Sequence, residues 1–169
     1  KGGRYLEPAV GAGYYLGFMP NDLRGSTRTT AVEMDSTTGQ IATALYPSAN
    51  VVISPFEDHP TPKNFYHLVA TNVPFTDVHP HDPNYASYHA NLHDYYFLRS
   101  ADTCMPGGLV MHITSTGTMD KPSKTIRDKI SKDLEFVSAI RFPGGAHKDN
   151  AGTEVVTDML IFRKKHPKI

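Results

Sequence analysis

Two groups of residues near the start of this sequence have the types and the spacing that a cofactor site needs. The first runs from Glu7 to Gly13, where Gly11 and Gly13 let the backbone approach a ligand that a side chain would exclude. The second is Glu33, which lies 20 residues after Gly13 and can accept hydrogen bonds from both hydroxyls of a ribose. Together they predict a site for a cofactor that contains adenosine.

A third group, Asn72 to Phe75, has the sequence Asn-Val-Pro-Phe and is suited to chemistry on a nucleobase. An exocyclic amine of a base is a poor nucleophile because its lone pair is delocalised into the ring. Two acceptors on its N–H groups favour the pyramidal, reactive geometry, and the Asn72 amide oxygen and the Val73 carbonyl offer such a pair. Phe75 can stack on a base rotated out of a duplex.

The apolar pattern predicts the strands that must position these groups. Short runs rich in β-branched and aromatic residues, bounded by turn residues, indicate seven strands. They are Arg4 to Leu6, Thr30 to Met34, Asn50 to Ile53, Tyr66 to Thr71, Leu109 to Thr114, Phe136 to Phe142 and Val155 to Arg163.

Helices are predicted between most of these strands. Asp35 or Ser36 can cap one helix, which shares Ile41, Ala42 and Leu45 on one face and stops before Pro47. The other predicted helices are Tyr14 to Met19, Leu92 to Ala101, which the Pro106-Gly107-Gly108 turn follows, and Ser123 to Asp133.

This alternation predicts an α/β fold, with an open, twisted, mostly parallel sheet, helices on both faces and an antiparallel last strand. Ligands of such sheets bind beyond the carboxyl ends of the strands. At 169 residues and 39% hydrophobic residues, the chain suits one globular domain, and we expect it to be a fragment of a longer protein.

Charge and cysteine content exclude several classes of protein. The 17 basic and 17 acidic residues cancel, so any surface for nucleic acid must be local. Two basic stretches are candidates: Lys121 to Lys132 and Arg163 to Lys168.

Cys104 is the single cysteine and is expected to be a buried small hydrophobic residue. No apolar run approaches the roughly 20 residues of a membrane span, which predicts a soluble, intracellular protein.

The chain resembles the S-adenosylmethionine-dependent DNA adenine-N6 methyltransferases. The ordered motifs of amino-group DNA methyltransferases are similar to Glu7 to Gly13, Val32 to Asp35, Phe56-Glu57 and Asn72 to Phe75. The helicase-associated subfamily of phages and mobile elements is similar at Pro106 to Ser115, Gly117 to Asp120, Ala151 to Glu154 and Thr157-Asp158. The resemblance covers nearly the whole chain and implies a Rossmann-like class I methyltransferase fold.

The resemblance also implies roles for these residues. Gly11 and Gly13 would line the methionine part of the cofactor, Glu33 would hold its ribose, and Phe56 with Glu57 or Asp58 would border its adenine. The implied cofactor-binding residues are Glu7, Pro8, Ala9, Gly11, Gly13, Glu33, Met34, Phe56, Glu57 and Asn72. The implied catalytic residues, which hold the target base, are Asn72, Val73, Pro74 and Phe75.

The implied partners are DNA and a helicase domain in the same or another chain, in the cytoplasm of a bacterium. The family's N-terminal helix, which covers the methionine end of the cofactor, and a target-recognition domain are not expected within the chain.

Three positions depart from the family pattern. Val73 replaces a commoner proline, His67 replaces a frequent acid and His147 replaces a usual aromatic residue.

Three other interpretations compete with the methyltransferase. A catalytically degenerate module that binds nucleic acid or a helicase would explain Val73 and His147. A nicotinamide dehydrogenase would use the glycines and Glu33, but it leaves Asn72 to Phe75 unexplained. A metal site would use the histidines, because the four-residue spacing of His89 and His93 puts two imidazoles on one helical face; His79 and His81 would complete it.

Overall fold

Seven strands form one sheet in the computed structural model, which describes residues 2–147 and 155–167. The strands are β1 (Arg4–Glu7), β2 (Arg28–Glu33), β3 (Asn50–Ile53), β4 (Tyr66–Asn72), β5 (Cys104–Ser115), β6 (Leu134–Phe142) and β7 (Thr157–Lys164). Their order is β3-β2-β1-β4-β5-β7-β6. β7 is antiparallel to both neighbours, and the other six strands share one direction. The predicted doubly wound sheet of seven strands is confirmed.

Helices connect the strands on both faces. They are α1 (Tyr14–Phe18), α2 (Asn21–Arg24), α3 (Ser36–Leu45), α4 (Leu92–Thr103), α5 (Gly117–Asp120) and α6 (Thr125–Asp133), with 3₁₀ turns at Phe56–Asp58, Ala86–Tyr88 and Gly144–His147. Asp35 caps α3 by accepting a hydrogen bond from the Thr38 amide at 2.7 Å, as one of the two predicted caps. None of the described helices is long and apolar enough to cross a bilayer.

The two faces of the sheet are covered unequally. On one face, α4 and α6 pack onto the sheet and enclose an aromatic core that includes Tyr95, Phe97 and Leu160. On the other face, α1 and α3 build a smaller core that includes Leu16, Ala31 and Ala42. Cys104 is fully buried, as predicted.

The helix α3 does not bury the predicted face. Ala42 is buried, but Ile41 and Leu45 are exposed, and Gly39 takes the place that they were expected to fill. A Cβ at Gly39 would come 2.9 Å from the Ile53 side chain, so α3 lies close to β3. Because the helix and the strand are so close, only the small residues Gly39 and Ala42 fit between them.

The turn Pro106-Gly107-Gly108 was predicted to separate a helix from a strand, and this prediction is wrong. The helix α4 ends at Thr103, and β5 begins directly at Cys104. The pairing with β4 then shifts between Tyr66 and Leu68, so the turn forms an irregularity inside β5. Gly107 has a φ of 81°, which explains why a glycine is needed there.

Candidate cofactor and base site

The predicted site residues follow the carboxyl ends of β1, β2, β3 and β4, at one edge of the sheet. Glu7 ends β1, Glu33 ends β2 and Asn72 ends β4, while Phe56 begins the 3₁₀ turn after β3. Because parallel strands end at the same edge, the topology brings the four segments together there.

The two glycines of the loop after β1 have positive φ angles for different reasons. Gly11 has a φ of 54°, and a Cβ there would contact nothing within 4 Å, so its backbone is open to a ligand. Gly13 has a φ of 89°, and a Cβ there would overlap the Tyr46 ring. Gly13 is therefore required by packing inside the protein, and Gly11 alone fits the predicted reason.

Glu33 organises the loop that carries Gly11. Its Oε2 accepts a hydrogen bond from the Gly11 amide and its Oε1 from the Asp35 amide, each at 2.9 Å. A carboxylate offers about four acceptor positions, so each oxygen retains one for a ribose hydroxyl. Met34, beside it, is exposed.

Glu7 is a buried acid, and its burial favours its neutral form. It is 1% exposed, and burial raises its pKa to about 8, although the hydrogen bond from Tyr5 opposes the shift. The Tyr5 hydroxyl lies 3.0 Å from Glu7 Oε2 and 3.1 Å from the Ala70 carbonyl. A protonated Glu7 can donate to Tyr5 Oη while Tyr5 donates to Ala70. Burial, and Glu7 nearby, also raise the pKa of Tyr15.

Acidic groups also gather on the adenine side of the predicted site. Burial raises the pKa of the Tyr96 hydroxyl, and the nearby carboxylates Glu57 and Glu33 raise it further. Phe56 is only 3% exposed, with its ring 5.1 Å from Tyr96 and 4.5 Å from the Arg99 guanidinium. Phe56 therefore contributes mainly to the core, and any contact with an adenine is limited to its edge.

The segment after β4 presents two free acceptors. Asn72 is exposed, and its side chain has no hydrogen bond to the described residues. The Val73 amide donates to the Ile113 carbonyl at 2.9 Å, but no described group donates to the Val73 carbonyl. The Val73 side chain is fully buried, Pro74 is half-buried, and Phe75 is 45% exposed. The Val73 carbonyl and the side-chain amide of Asn72 are thus both without a hydrogen-bond partner among the described residues.

A groove of about 880 Å³ lies against the open face of the sheet and reaches the glycine loop. Glu7, Ala9, Gly11 and Asn72 line one end of it. The other predicted residues do not line this groove: Pro8, Gly13, Glu33, Met34, Phe56, Glu57, Val73, Pro74 and Phe75. The groove thus contains Glu7, Ala9 and Gly11 of the predicted cofactor site, and Asn72 is the one predicted base-holding residue that lines it.

Two buried hydroxyl groups in this region have no hydrogen-bond partner among the described residues: Tyr15 Oη and Ser54 Oγ. Tyr15 lines the groove near Glu7, and the Ser54 amide donates to the Glu33 carbonyl at 3.0 Å. Unsatisfied buried hydroxyls are costly, which makes both groups candidates to bind a polar ligand. Together with Glu7, Gly11 and Glu33, they suit a nucleoside with a cationic amino acid tail.

Sequence reasoning did not identify Tyr5, Tyr15, Ser54 or Tyr96 as site residues. A signal existed for Tyr5, because residues two apart on a strand face the same side, and Tyr5 and Glu7 have that spacing. The other three come from separate segments, which only the folded chain brings close to Glu7 and Glu33.

The metal interpretation of the histidines depended on a helical spacing that does not form. α4 begins at Leu92, so His89 precedes the helix, with a φ of 46°, and His93 is inside it. The described residues contain no cluster of three metal-ligating side chains.

The predicted basic stretch is used partly inside the protein. Lys121 forms an ion pair with Asp94, and Lys129 lies 5.5 Å from the Tyr88 ring centre. Lys168 and the run from Ala151 to Glu154 are outside the described residues, as is the side chain of His147.

The fold is that of the class I methyltransferases. A protein of Listeria monocytogenes assigned to the class I S-adenosylmethionine-dependent methyltransferases has a TM-score of 0.79 at 16% identity, over 100% of this chain and 55% of its own. A modification subunit assigned to a type I restriction enzyme of Vibrio vulnificus YJ016 has a TM-score of 0.72 at 15% identity, over 98% of this chain and 41% of its own.

In sequence, the chain is similar to Defense against restriction protein B of Escherichia phage P1. The two are 34% identical over 171 aligned positions, which cover 98% of this chain and 7% of the phage protein. The chain therefore spans a small part of that relative's length. No family model matches the chain.

Proposed function

We propose that the chain is the catalytic domain of an S-adenosylmethionine-dependent methyltransferase that acts on the N6 amine of adenine in DNA. The observation that carries the proposal is the free pair of acceptors, Asn72 Oδ1 and the Val73 carbonyl, beside the half-exposed ring of Phe75. The pair follows β4, next to the strand that leads into the Gly11 loop.

The residues at this edge fit the proposed cofactor. Glu33 would accept the ribose hydroxyls, the open backbone at Gly11 would lie against the methionine part, and Glu7 would face its ammonium group. S-Adenosylmethionine supplies, when bound, a methyl group activated by a sulfonium. Glu7 would gain a cationic neighbour, which favours its ionised form.

Asn72 and Val73 activate the amine in the proposed reaction. Each accepts one N–H of the target amine, which returns the nitrogen lone pair from the ring to the nitrogen. Phe75 stacks on the base and holds it in line for transfer. The cofactor, held by Glu33 and the open backbone at Gly11, would supply the methyl group for this nitrogen, and the proton that the amine loses would pass to solvent. Positioning and electrostatics carry the catalysis.

Two similarities support DNA as the substrate. The phage relative is a protein of defence against restriction, and one structural neighbour is a modification subunit assigned to a restriction enzyme. The proposal includes action in the bacterial cytoplasm and a helicase domain as partner, as the sequence resemblance implies.

The catalytically degenerate module remains an alternative, and Val73 is its main support. The proposed role of Val73 belongs to its backbone carbonyl, which any residue supplies. The Val73 side chain is fully buried and belongs to the same core cluster as Val69 and Leu92. The departure from proline therefore leaves the acceptor in place and does not favour loss of activity.

Methyl transfer to DNA from labelled cofactor tests the proposal, with S-adenosylhomocysteine binding measured in parallel by calorimetry. We expect Asn72→Ala to reduce the rate by about a hundredfold or more while cofactor binding persists. Asn50→Ala is the matched control, because Asn50 is an exposed asparagine at the opposite edge of the sheet. Equal rates for Asn72→Ala and Asn50→Ala, or no transfer to adenine, would contradict the proposal.

A further inference from the structure

His93 lies against Phe75, although it belongs to a different element. It is the second residue of α4 and is 7% exposed. The two ring centres are 5.2 Å apart and the planes are inclined by 63°, an edge-to-face arrangement that aromatic rings favour. This is the one ring contact that Phe75 makes with the described residues.

Hydrogen bonds from β5 hold the His93 ring on its other side. Nδ1 lies 2.8 Å from Thr114 Oγ1 and 3.4 Å from the Ser115 amide. An amide N–H can only donate, so Nδ1 presents its lone pair, and Thr114 donates to it as well. Thr118 Oγ1, 3.3 Å from Thr114 Oγ1, can donate to Thr114 in turn.

This arrangement defines the state of the imidazole. Burial lowers the pKa of His93, with Lys121 acting in the same direction and Asp94 against it. The ring is therefore neutral and carries its proton on Nε2, and no described residue accepts a hydrogen bond from that atom. The ring is thus held by one nitrogen and packs against Phe75.

We propose that His93 is a positioning residue of the base site. It links the end of β5 to Phe75 and so sets the angle of the stacking ring. The inference rests on the proposed function for the role of Phe75 as a base-stacking residue. The loop that carries Phe75 is largely exposed from Phe75 to Val78, so it depends on such a contact for its orientation.

Two variants separate the ring contact from the hydrogen bonds. His93→Asn retains an acceptor near the position of Nδ1 and removes the ring edge. Thr114→Val retains the ring and removes the hydroxyl donor. Thr43→Val is the control for the second change, because its hydroxyl bonds the Gly39 carbonyl in α3, away from the base site. The protein would carry 4-fluorophenylalanine at its eight phenylalanines, with the Phe75 signal assigned by Phe75→Leu.

We expect His93→Asn and Thr114→Val to shift or broaden the ¹⁹F signal of Phe75, while Thr43→Val leaves it unchanged. The KM for DNA should rise about tenfold in His93→Asn, with S-adenosylhomocysteine affinity held within about twofold. An unchanged Phe75 signal in both variants overturns the proposal, as does an equal loss of cofactor and DNA binding. If the parent protein methylates no DNA but the Phe75 signal moves, the proposed function fails and the positioning role stands.

Discussion

Glu33 anchors the Gly11 loop, and in the proposed function it also holds the ribose of the cofactor. We expect Glu33→Gln to weaken S-adenosylhomocysteine binding about tenfold or more, because hydrogen bonds to a charged acceptor contribute about 1.5–3 kcal/mol. The loop around Gly11 would also lose part of its anchor. Calorimetric titration measures the change, and Glu57→Gln, which removes an acid that does not anchor the Gly11 loop, should have a smaller effect. Equal affinity in Glu33→Gln and the parent protein would exclude the ribose role.

Glu7 makes the stability of the fold depend on pH. Its pKa is 4.5 in the unfolded chain and about 8 in the folded protein, so between these values the folded protein binds the extra proton. Its stabilisation is fully present below pH 4.5 and is lost as pH rises through about 8. We expect this group to lower the free energy of unfolding by about 1.4 kcal/mol per pH unit within that window.

Urea denaturation at several pH values tests the linkage. Glu7→Gln keeps a side chain that can hydrogen-bond Tyr5, but it has no proton to release. The free energy of unfolding of the variant, relative to that of the parent, should therefore be higher at pH 8 to 9 than at pH 5. Other titrating groups are common to both proteins and cancel in the difference. Parallel curves for the two proteins would show that Glu7 is ionised throughout.

At these positions the sequence did not predict the contacts that surround the residues. Gly13 was predicted to line the cofactor, without the Tyr46 ring that approaches it from the end of α3 and leaves no room for a side chain. Glu7 was assigned to the cofactor without its link to Tyr5 and Ala70. Such contacts join segments far apart in the chain, so local spacing carries no information about them.

At the level of elements, one buried ion pair fastens the loop after β4 to α4. Asp82 accepts hydrogen bonds from Tyr95 Oη and Arg99 Nη1, each at 2.9 Å, and Arg99 also donates to the His59 carbonyl at 2.6 Å. Arg99 stacks on Phe56, so the same side chain contacts both the loop of the base site and the turn of the adenine side.

We expect Asp82→Ala to lower the free energy of unfolding by about 3–5 kcal/mol, because it leaves the buried Arg99 charge without its partner. Asp82→Ala combined with Arg99→Met should recover part of the loss, since no buried charge then remains. Urea denaturation of the parent, both single variants and the double variant gives the coupling energy. Additive losses would show that the two residues act independently.

Six of the strands and the predicted helices were placed within about two residues, while the start of β5 and the buried face of α3 were not predicted. Short apolar runs bounded by turn residues identify strands directly, and β3 was predicted without error. The irregularity in β5 depends on how Cys104 and Leu109 pair with β4, and the buried face of α3 depends on its distance from β3. Both are properties of neighbouring elements, which a one-dimensional pattern does not contain.

For the whole molecule, the unequal covering of the sheet is the main feature. Over β4, β5 and β7 the open face presents half-buried Leu68, Met111 and Met159, which line the groove. Phe18, on α1 beside the same groove, is 84% exposed. Apolar surface of this extent marks a site of further contact. Gly2 and Gly3 line the groove, so residues that precede them in a longer protein would emerge beside it.

We therefore propose that a preceding segment of a longer protein covers this groove, and a pair of charge substitutions on β7 tests it.

Met159→Lys places a charge on the open face, and Leu160→Lys places one in the sealed core. In this chain alone, Met159→Lys should cost little stability. In a longer chain that extends before Gly2, it should cost several kcal/mol, because the charge becomes buried without a partner. Leu160→Lys should destabilise the short and the long chain severely, and thermal melts compare all four proteins. If Met159→Lys is equally harmless in both chains, the groove stays open in the longer protein and the added segment does not cover it.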